Sequence, residues 1–268
     1  MTAPLEATTK PFRATVALMY HALGGPDNPA AGQDPHYTVA AERFAAQLNL
    51  LRHRSADGVS ARDWLAGFTR AATILTFDDG HLSNFTLALP LLVEHDARAD
   101  FFVNPGRVGE PGFAGWSQLA EMASAGMSIQ SHGWNHRYFT VLTTAELREN
   151  LTRSRQTIED RLGLAVTLLA PPGGRSPAHL VDVAHECGYT HVLGSQPGRI
   201  GHERTALLPR MAITAKLDDA TLGGWLDGHG LVRARLRYAT LGFAKRALGD
   251  RGYERLRARL LGQARSGA

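Results

Sequence analysis

Cysteine and long apolar runs are both scarce in this sequence. The 268 residues include one cysteine, Cys187. A single cysteine excludes a disulfide within the chain and fits a reducing compartment. No stretch approaches the ~20 apolar residues that a membrane-spanning helix needs. Residues 1–10 lack the basic start and apolar core of a signal peptide. We therefore expect a cytoplasmic protein.

Acidic residues are scarce in the last part of the chain. Residues 233–265 contain ten Lys or Arg against Asp250 and Glu254. Apolar residues recur there at roughly helical spacing, namely Leu236, Leu241, Phe243, Leu248, Tyr253, Leu256, Leu260 and Leu261. Two interpretations stay open: helices that pack on the rest of the protein, or basic amphipathic helices on an anionic membrane surface. Nucleic-acid binding is not favoured, because no recognition motif accompanies the charge.

Apolar residues make up 44% of the sequence, which is enough to bury one large core. Strand-like runs alternate with helical patterns along most of the chain. The strand-like runs are 14–19, 71–75, 128–130, 166–169 and 190–193, and the helical patterns are 44–51, 145–162 and 176–187. Thr143 and Glu146 predict a capped start for the second helix. This order favours an α/β fold built as a parallel barrel.

Two acidic residues follow the second of these strands. They are Asp78 and Asp79 of Thr76-Phe77-Asp78-Asp79-Gly80, and about fifty residues later His132 and His136 follow another strand-like run. Parallel barrels place their chemistry at strand ends on one face. Each motif has a simpler interpretation: Asp and Gly favour ordinary turns, and twelve histidines can produce one surface pair by chance.

Together the four residues predict a metal site with a spare carboxylate. A catalytic zinc typically keeps three protein ligands and one position for water, and Asp79, His132 and His136 supply such a set. The pKa of water on such an ion falls toward ~7, so a nearby carboxylate can accept its proton. Asp78 is the candidate for that base. The layout indicates a metal-assisted hydrolase.

These motifs resemble the first two motifs of the polysaccharide deacetylases, also called carbohydrate esterase family four. The resemblance covers roughly residues 13–215. It implies that Asp78 is the catalytic base and that Asp79, His132 and His136 hold a divalent metal, usually zinc. It also implies a distorted, incomplete (β/α)7-type barrel and an acetylated saccharide as the substrate.

The family's third motif usually begins with an arginine, and here it reads Ala170-Pro171-Pro172-Gly173-Gly174. By the resemblance, Pro172, Gly173 and Gly174 form the loop whose amides hold the oxyanion. The simpler interpretation is a plain Pro/Gly loop. Since Ala170 leaves Asp78 without its usual cationic neighbour, Arg210 or Arg175 is expected to replace it.

Two further residues are candidates for the site. The late Leu-x-His motif of many relatives is not visible, whereas Tyr20-His21 resembles the opening of a subset of these deacetylases. His21 is therefore the candidate general acid, because an imidazole titrates near ~6.5; the alternative is a half-buried structural histidine. Trp134 is a candidate for stacking on a sugar ring, although a tryptophan is more often core.

The predicted organisation is an extension at 1–12, a catalytic barrel at 13–218 and a basic helical tail at 219–268. Three function classes follow. The first is an amidohydrolase that removes N-acetyl groups from a saccharide. The second is an O-acetyl esterase or cyclic amide or imide hydrolase on the same scaffold, which substrate preference would separate. The third is a sugar-binding protein with a vestigial site, which would bind metal without turnover.

Overall fold

The computed structural model describes residues 15–24, 33–54, 56–67, 72–201, 205–236 and 238–240. Its strands are β1 (Val16–Tyr20), β2 (Ala22–Leu23), β3 (Thr38–Val39), β4 (Asp57–Val59), β5 (Ala72–Phe77), β6 (Asp100–Val103), β7 (Ser128–Ser131), β8 (Leu168–Leu169), β9 (His191–Leu193), β10 (Leu207–Leu208) and β11 (Met211–Ala212). Its helices are α1 (Ala41–His53), α2 (Ala61–Leu65), α3 (Leu89–Glu94), α4 (Trp116–Ser124), α5 (Thr144–Leu162), α6 (Leu180–Glu186) and α7 (Asp219–Leu226).

Nine of the strands form one parallel sheet in the order β10-β9-β8-β7-β6-β5-β1-β11, with β4 paired to β5. Residues of β1 and β5 are buried on both faces, as a parallel sheet covered by helices requires. The single segment from β10 to β11 pairs with β9 at its start and with β1 at its end. The predicted α/β architecture, a distorted and incomplete parallel barrel, is confirmed.

The helices follow their local signals closely, with one exception. Thr143 and Glu146 cap each other at the start of α5, and Gly163 ends that helix with φ 65°. The predicted start of α6 near Ser176 is wrong. The helix begins at Leu180, because the Leu180 N–H donates to the Pro177 carbonyl in a preceding turn.

The beginning of the predicted tail packs on the barrel. Leu222 and Trp225 of α7 are buried in the main apolar core, and Leu231 and Ala234 pack against it. The Nε of Arg235 donates to the Pro197 carbonyl at 3.1 Å. No helix in the described ranges is long and apolar enough to cross a membrane. The extension at 1–12 and the basic residues beyond 240 lie outside the described residues.

Parallel strands bring their carboxyl ends to one edge of the sheet. His21, Asp78, Asn104, His132 and Ala170 directly follow β1, β5, β6, β7 and β8. Beneath this edge Phe77 stacks on Phe101 with ring centroids 4.9 Å apart. The acidic motif and the histidine motif therefore follow β5 and β7, which lie on either side of β6 in the sheet.

Candidate active site

Asp78 and Asp79 are adjacent in sequence but face different partners. The Asp78 N–H donates to the Tyr20 carbonyl at 2.9 Å, which continues the β5 to β1 pairing. Asp79 then adopts a left-handed conformation with φ 76°. A non-glycine residue rarely takes this conformation, and such strain is found mainly at functional sites. The turn points the second carboxylate away from the first.

Asp79 lies between two imidazoles. Its Oδ1 is 3.2 Å from His132 Nε2 and 3.0 Å from His136 Nε2. One ligand atom from each residue falls within 4.8 Å of the others. His132 is buried, whereas Asp79 and His136 are partly exposed, so the cluster is open on one side. Burial opposes ionisation of Asp79, but the nearby imidazoles of His132, His136 and His81 outweigh it and hold the pKa of this carboxyl group well below its usual range.

The donor set fits a divalent ion such as Zn²⁺. His132 Nδ1 lies 2.8 Å from the Ala170 carbonyl, and this contact leaves Nε2 facing Asp79. Metal-binding histidines are commonly oriented in this way through their second nitrogen. The Oδ1 of Asp79 is buried and accepts no well-aligned hydrogen bond from the described residues, although two imidazole nitrogens are close to it. Two imidazole nitrogens and a carboxylate oxygen are ordinary ligands for catalytic zinc.

The loop that carries both histidines is held by two asparagines. Gly133 and His136 have positive φ, 75° and 59°. The segment that carries the two histidines is therefore not helical. Asn104 Nδ2 donates to the carbonyls of His132 and Gly133 at 2.7 and 3.0 Å. Asn150 Oδ1 accepts from the Trp134 N–H at 2.9 Å. Neither asparagine was predicted from the sequence, although Asn104 directly follows the apolar residues Phe101-Phe102-Val103.

Asp78 forms a buried bidentate ion pair with Arg210. Arg210 Nη1 and Nη2 lie 2.7 and 2.8 Å from the two carboxylate oxygens. The guanidinium also donates to Thr76 Oγ1 at 3.1 Å and to the Gly194 carbonyl at 2.9 Å. Burial opposes ionisation of Asp78, but Arg210 outweighs it and the pKa lies below its usual value. The other candidate, Arg175, places its guanidinium over the Tyr138 ring, 4.0 Å from the centroid.

The third-motif loop is a short 3₁₀ turn over Pro172–Gly174. Gly174 has φ 65°, and a Cβ there would lie 2.5 Å from Ser195 Oγ, so only glycine fits. Proline has no N–H, and the Gly174 N–H donates to the Pro171 carbonyl at 3.0 Å. Pro172 therefore cannot donate to an oxyanion, which leaves the Gly173 amide as the candidate donor among the three predicted residues.

His21 lies at the same edge of the sheet, stacked on Tyr37 with ring centroids 4.6 Å apart. Its carbonyl accepts from Asn84 Nδ2 at 2.8 Å, and its buried Nδ1 has no hydrogen-bond partner among the described residues. Burial lowers the pKa of His21, while the carboxylates of Asp79 and Asp78 oppose that shift. The imidazole is thus within electrostatic reach of both acids.

One face of the Trp134 ring is covered by Arg153, whose Cζ lies 3.7 Å from the ring centroid. A Cβ at Gly106 would lie 3.1 Å from the indole Nε1, so the backbone of Gly106 closely approaches that part of the ring. Stacking of a sugar on the covered face would need Arg153 to move.

A further histidine, His81, touches the site. Its Nε2 is 3.4 Å from Asp79 Oδ2, and its side chain is 3% exposed. The ring stacks on Phe113 with centroids 5.1 Å apart. His81 was not predicted as a site residue from the sequence, although it directly follows Asp78-Asp79-Gly80.

Comparison with known proteins identifies the same region of the chain. Residues 67–192 match the sequence model of the family described as polysaccharide deacetylase. The chain is 22% identical to YxkH of Bacillus subtilis over 227 residues, which are 82% of this chain and 78% of that protein. It is 28% identical to a chitin deacetylase of Pestalotiopsis over 48% of this chain and 43% of the enzyme. It is 32% identical to the peptidoglycan-N-acetylglucosamine deacetylase PgdA of Listeria monocytogenes, over 45% of this chain and 24% of that protein.

Solved structures show the same fold. The deacetylase PplD of Streptococcus pyogenes, solved with acetate, aligns with a TM-score of 0.71 at 21% identity, covering 80% of this chain and 98% of that one. IcaB of Ammonifex degensii aligns with a TM-score of 0.65 at 23% identity, covering 83% and 97%. The matched residues 67–192 contain Asp78, Asp79, His132 and His136. The part of the chain that carries the motifs therefore matches the polysaccharide deacetylase family, as those motifs predicted.

Proposed function

We propose that the protein is a metal-dependent hydrolase that removes N-acetyl groups from a saccharide. The observation that carries this proposal is the Asp79, His132 and His136 cluster beside an Asp78 carboxylate that Arg210 keeps ionised. The family match supports deacetylation, and relatives are named as deacetylases of chitin and of peptidoglycan N-acetylglucosamine. An acetylated saccharide is therefore the proposed substrate.

The cluster supports a single divalent metal as the cofactor. Asp79, His132 and His136 would hold one divalent ion, with Zn²⁺ preferred by the donor set. Such an ion supplies Lewis acidity and lowers the pKa of a water that it binds. Every other step belongs to side chains and amides of the protein.

Asp78 is the proposed base. Because Arg210 holds its pKa low, the carboxylate is ionised at neutral pH and can accept the proton of the attacking water. The ion pair with Arg210 also holds both oxygens of the Asp78 carboxylate in one orientation, so the base is preorganised for the reaction. Arg210 is thereby the proposed replacement for the arginine that is absent at Ala170.

Gly173 and His21 complete the proposed mechanism. The Gly173 amide would donate to the oxyanion that forms on the acetyl oxygen, an interaction of roughly 3 to 4 kcal/mol for one well-placed donor. His21 would give a proton to the departing sugar amine. Burial holds the pKa of His21 below its ordinary value despite the Asp78 and Asp79 carboxylates, so the imidazole would first have to take up a proton before it could act as the acid.

Acetate release tests this proposal directly. The purified protein, loaded with Zn²⁺, is assayed against N-acetylated and O-acetylated saccharides with and without a chelator. We expect chelator-sensitive release from an N-acetyl sugar. Release from O-acetyl sugars alone would reassign the protein to the esterases, and zinc binding without any release would favour a sugar-binding role.

Location and membrane contact remain predictions. The described part of the tail packs on the barrel, and a contact of the basic residues beyond 240 with an anionic surface is a separate proposal. Sedimentation with anionic and neutral vesicles would test the membrane contact. Only the anionic vesicles should retain a protein that binds through its basic residues.

A further inference from the structure

The two oxygens of the Asp79 carboxylate have different close partners in the structure. Oδ1 lies 3.2 and 3.0 Å from His132 and His136. Oδ2 lies 3.4 Å from His81 Nε2. His81 is not among the residues whose ligand atoms converge within 4.8 Å, so it contacts Asp79 rather than joining the cluster.

His81 is rigidly placed. Its backbone forms a bridge with Phe113, supported by the Leu82 N–H donating to Gly112 at 2.8 Å and the Ala114 N–H donating to Gly80 at 3.0 Å. The His81 ring stacks on Phe113. Arg107 Cζ in turn lies 3.8 Å from the centroid of the Phe113 ring. A buried ring stacked in this way has little freedom to rotate.

The chemistry of His81 also suits a donor. Its Nδ1 is buried without a hydrogen-bond partner among the described residues, so the Asp79 carboxylate is the polar group that its ring approaches. A residue that served only to fill space here would be better apolar, since burying an unpaired imidazole nitrogen costs free energy.

We propose that His81 is a positioning residue that holds Asp79 Oδ2, so that Oδ1 alone faces the metal-binding histidines. This inference rests on the proposed metal site. Carboxylate ligands are commonly held by an outer hydrogen bond, and loss of such a partner typically weakens metal binding by about 10- to 100-fold. His81 would supply that bond through the 3.4 Å contact of its Nε2 with Asp79 Oδ2, from a ring that Phe113 holds in place.

The test measures zinc affinity. Metal-free protein is titrated with Zn²⁺ against a chromogenic chelator for the wild type, His81→Phe, His81→Leu and His81→Gln. Phenylalanine keeps the stack on Phe113 without a donor, and leucine gives a second donor-free variant if the first fails to fold. Glutamine restores an N–H donor. His95→Phe is the matched control, because His95 contacts the Leu91 carbonyl on α3 and not the site.

We expect affinity about 10- to 100-fold weaker for the two donor-free variants, recovery toward wild type for His81→Gln, and no change for His95→Phe. The visible spectrum of the Co²⁺ form should also differ in His81→Phe, because the carboxylate contact with the metal changes. Affinity of the donor-free variants equal to wild type, or His81→Gln as weak as His81→Phe, would overturn the proposal. A wild type that binds no zinc would instead refute the metal site itself.

Discussion

Two buried carboxylates of the sheet have pKa values shifted in opposite directions. Asp78, directly after β5, is buried and its pKa is lowered. Asp100, the first residue of β6 and the partner of Thr76 in β5, is equally buried, and its pKa is raised to about 6. Burial disfavours the ionised form in both, but Asp78 has Arg210 whereas Asp100 accepts mainly from the backbone N–H groups of Ala61 and Arg62. The groups that contact each carboxylate, and not its degree of burial, decide which one is charged at neutral pH.

The comparison extends to neighbours within the site. Asp78 faces a permanent cation, and Asp79 faces imidazoles that can be neutral and bind a metal. A fixed cation keeps a base ionised, while neutral nitrogens leave a carboxylate oxygen available to an ion. The left-handed turn at Asp79 makes this division geometrically workable for two adjacent residues.

Asp79→Asn should have the largest effect. An amide keeps the shape but removes the charge that holds the ion, so we expect zinc affinity to collapse and acetate release to fall on the order of 10³-fold or more, equivalent to several kcal/mol. Isothermal titration and an acetate assay measure the two effects. Retained zinc affinity in this variant would show that Asp79 is not a ligand.

Asp78→Asn should separate the two carboxylates. We expect turnover to fall by about 10²- to 10⁴-fold, the range for loss of a general base, with zinc still bound. The assay compares kcat at saturating substrate with zinc stoichiometry on the same sample. If zinc binding is lost as well, the assignment of separate roles to Asp78 and Asp79 is wrong.

Arg210→Met should show how strongly the cation acts. Removing one partner of a buried pair costs about 3–5 kcal/mol, and the pKa of Asp78 should rise because burial is no longer opposed. The loss of stability should therefore be greater at neutral pH than in acid. Asp78→Asn combined with Arg210→Met should recover part of the loss, as urea unfolding of the single and double variants would reveal. Strict additivity of the two single changes would contradict the coupling.

The sequence predicted the parts of the site that depend on local signals. Asp78, Asp79 and the histidine pair were recognisable because each motif follows an apolar run, and Thr143 with Glu146 predicted the start of α5, which is confirmed. The start of α6 was misplaced because Pro177 is compatible with both a first helical turn and the preceding turn that the chain adopts.

Contacts between distant residues could not be predicted in the same way. The sequence favoured Arg210 with Arg175 as the alternative, and the contact itself follows from β11 pairing with β1, which places Arg210 beside β5 and Asp78. Asn104 and Asn150 act on a loop that lies 28 and 16 residues away. The cover that Arg153 places over Trp134 depends on how α5 packs, which periodicity alone does not specify.

Asp100→Asn should have the smallest effect of these changes, an effect on stability, and it tests the contrast between Asp78 and Asp100 directly. Because the pKa of about 6 in the folded protein exceeds the ordinary value of 3.8, folding favours the protonated acid. Its contribution to stability is full below about pH 4 and is lost as pH rises toward about 6.

Asparagine can still accept from the Ala61 N–H but does not ionise. The free energy of unfolding of the variant relative to wild type should therefore rise by up to about 3 kcal/mol between about pH 4 and pH 6.5, at 1.36 kcal/mol per pKa unit. Urea unfolding at several pH values measures it. A difference independent of pH would mean that Asp100 titrates alike in the folded and unfolded states, and the contrast with Asp78 would then depend on Arg210 alone.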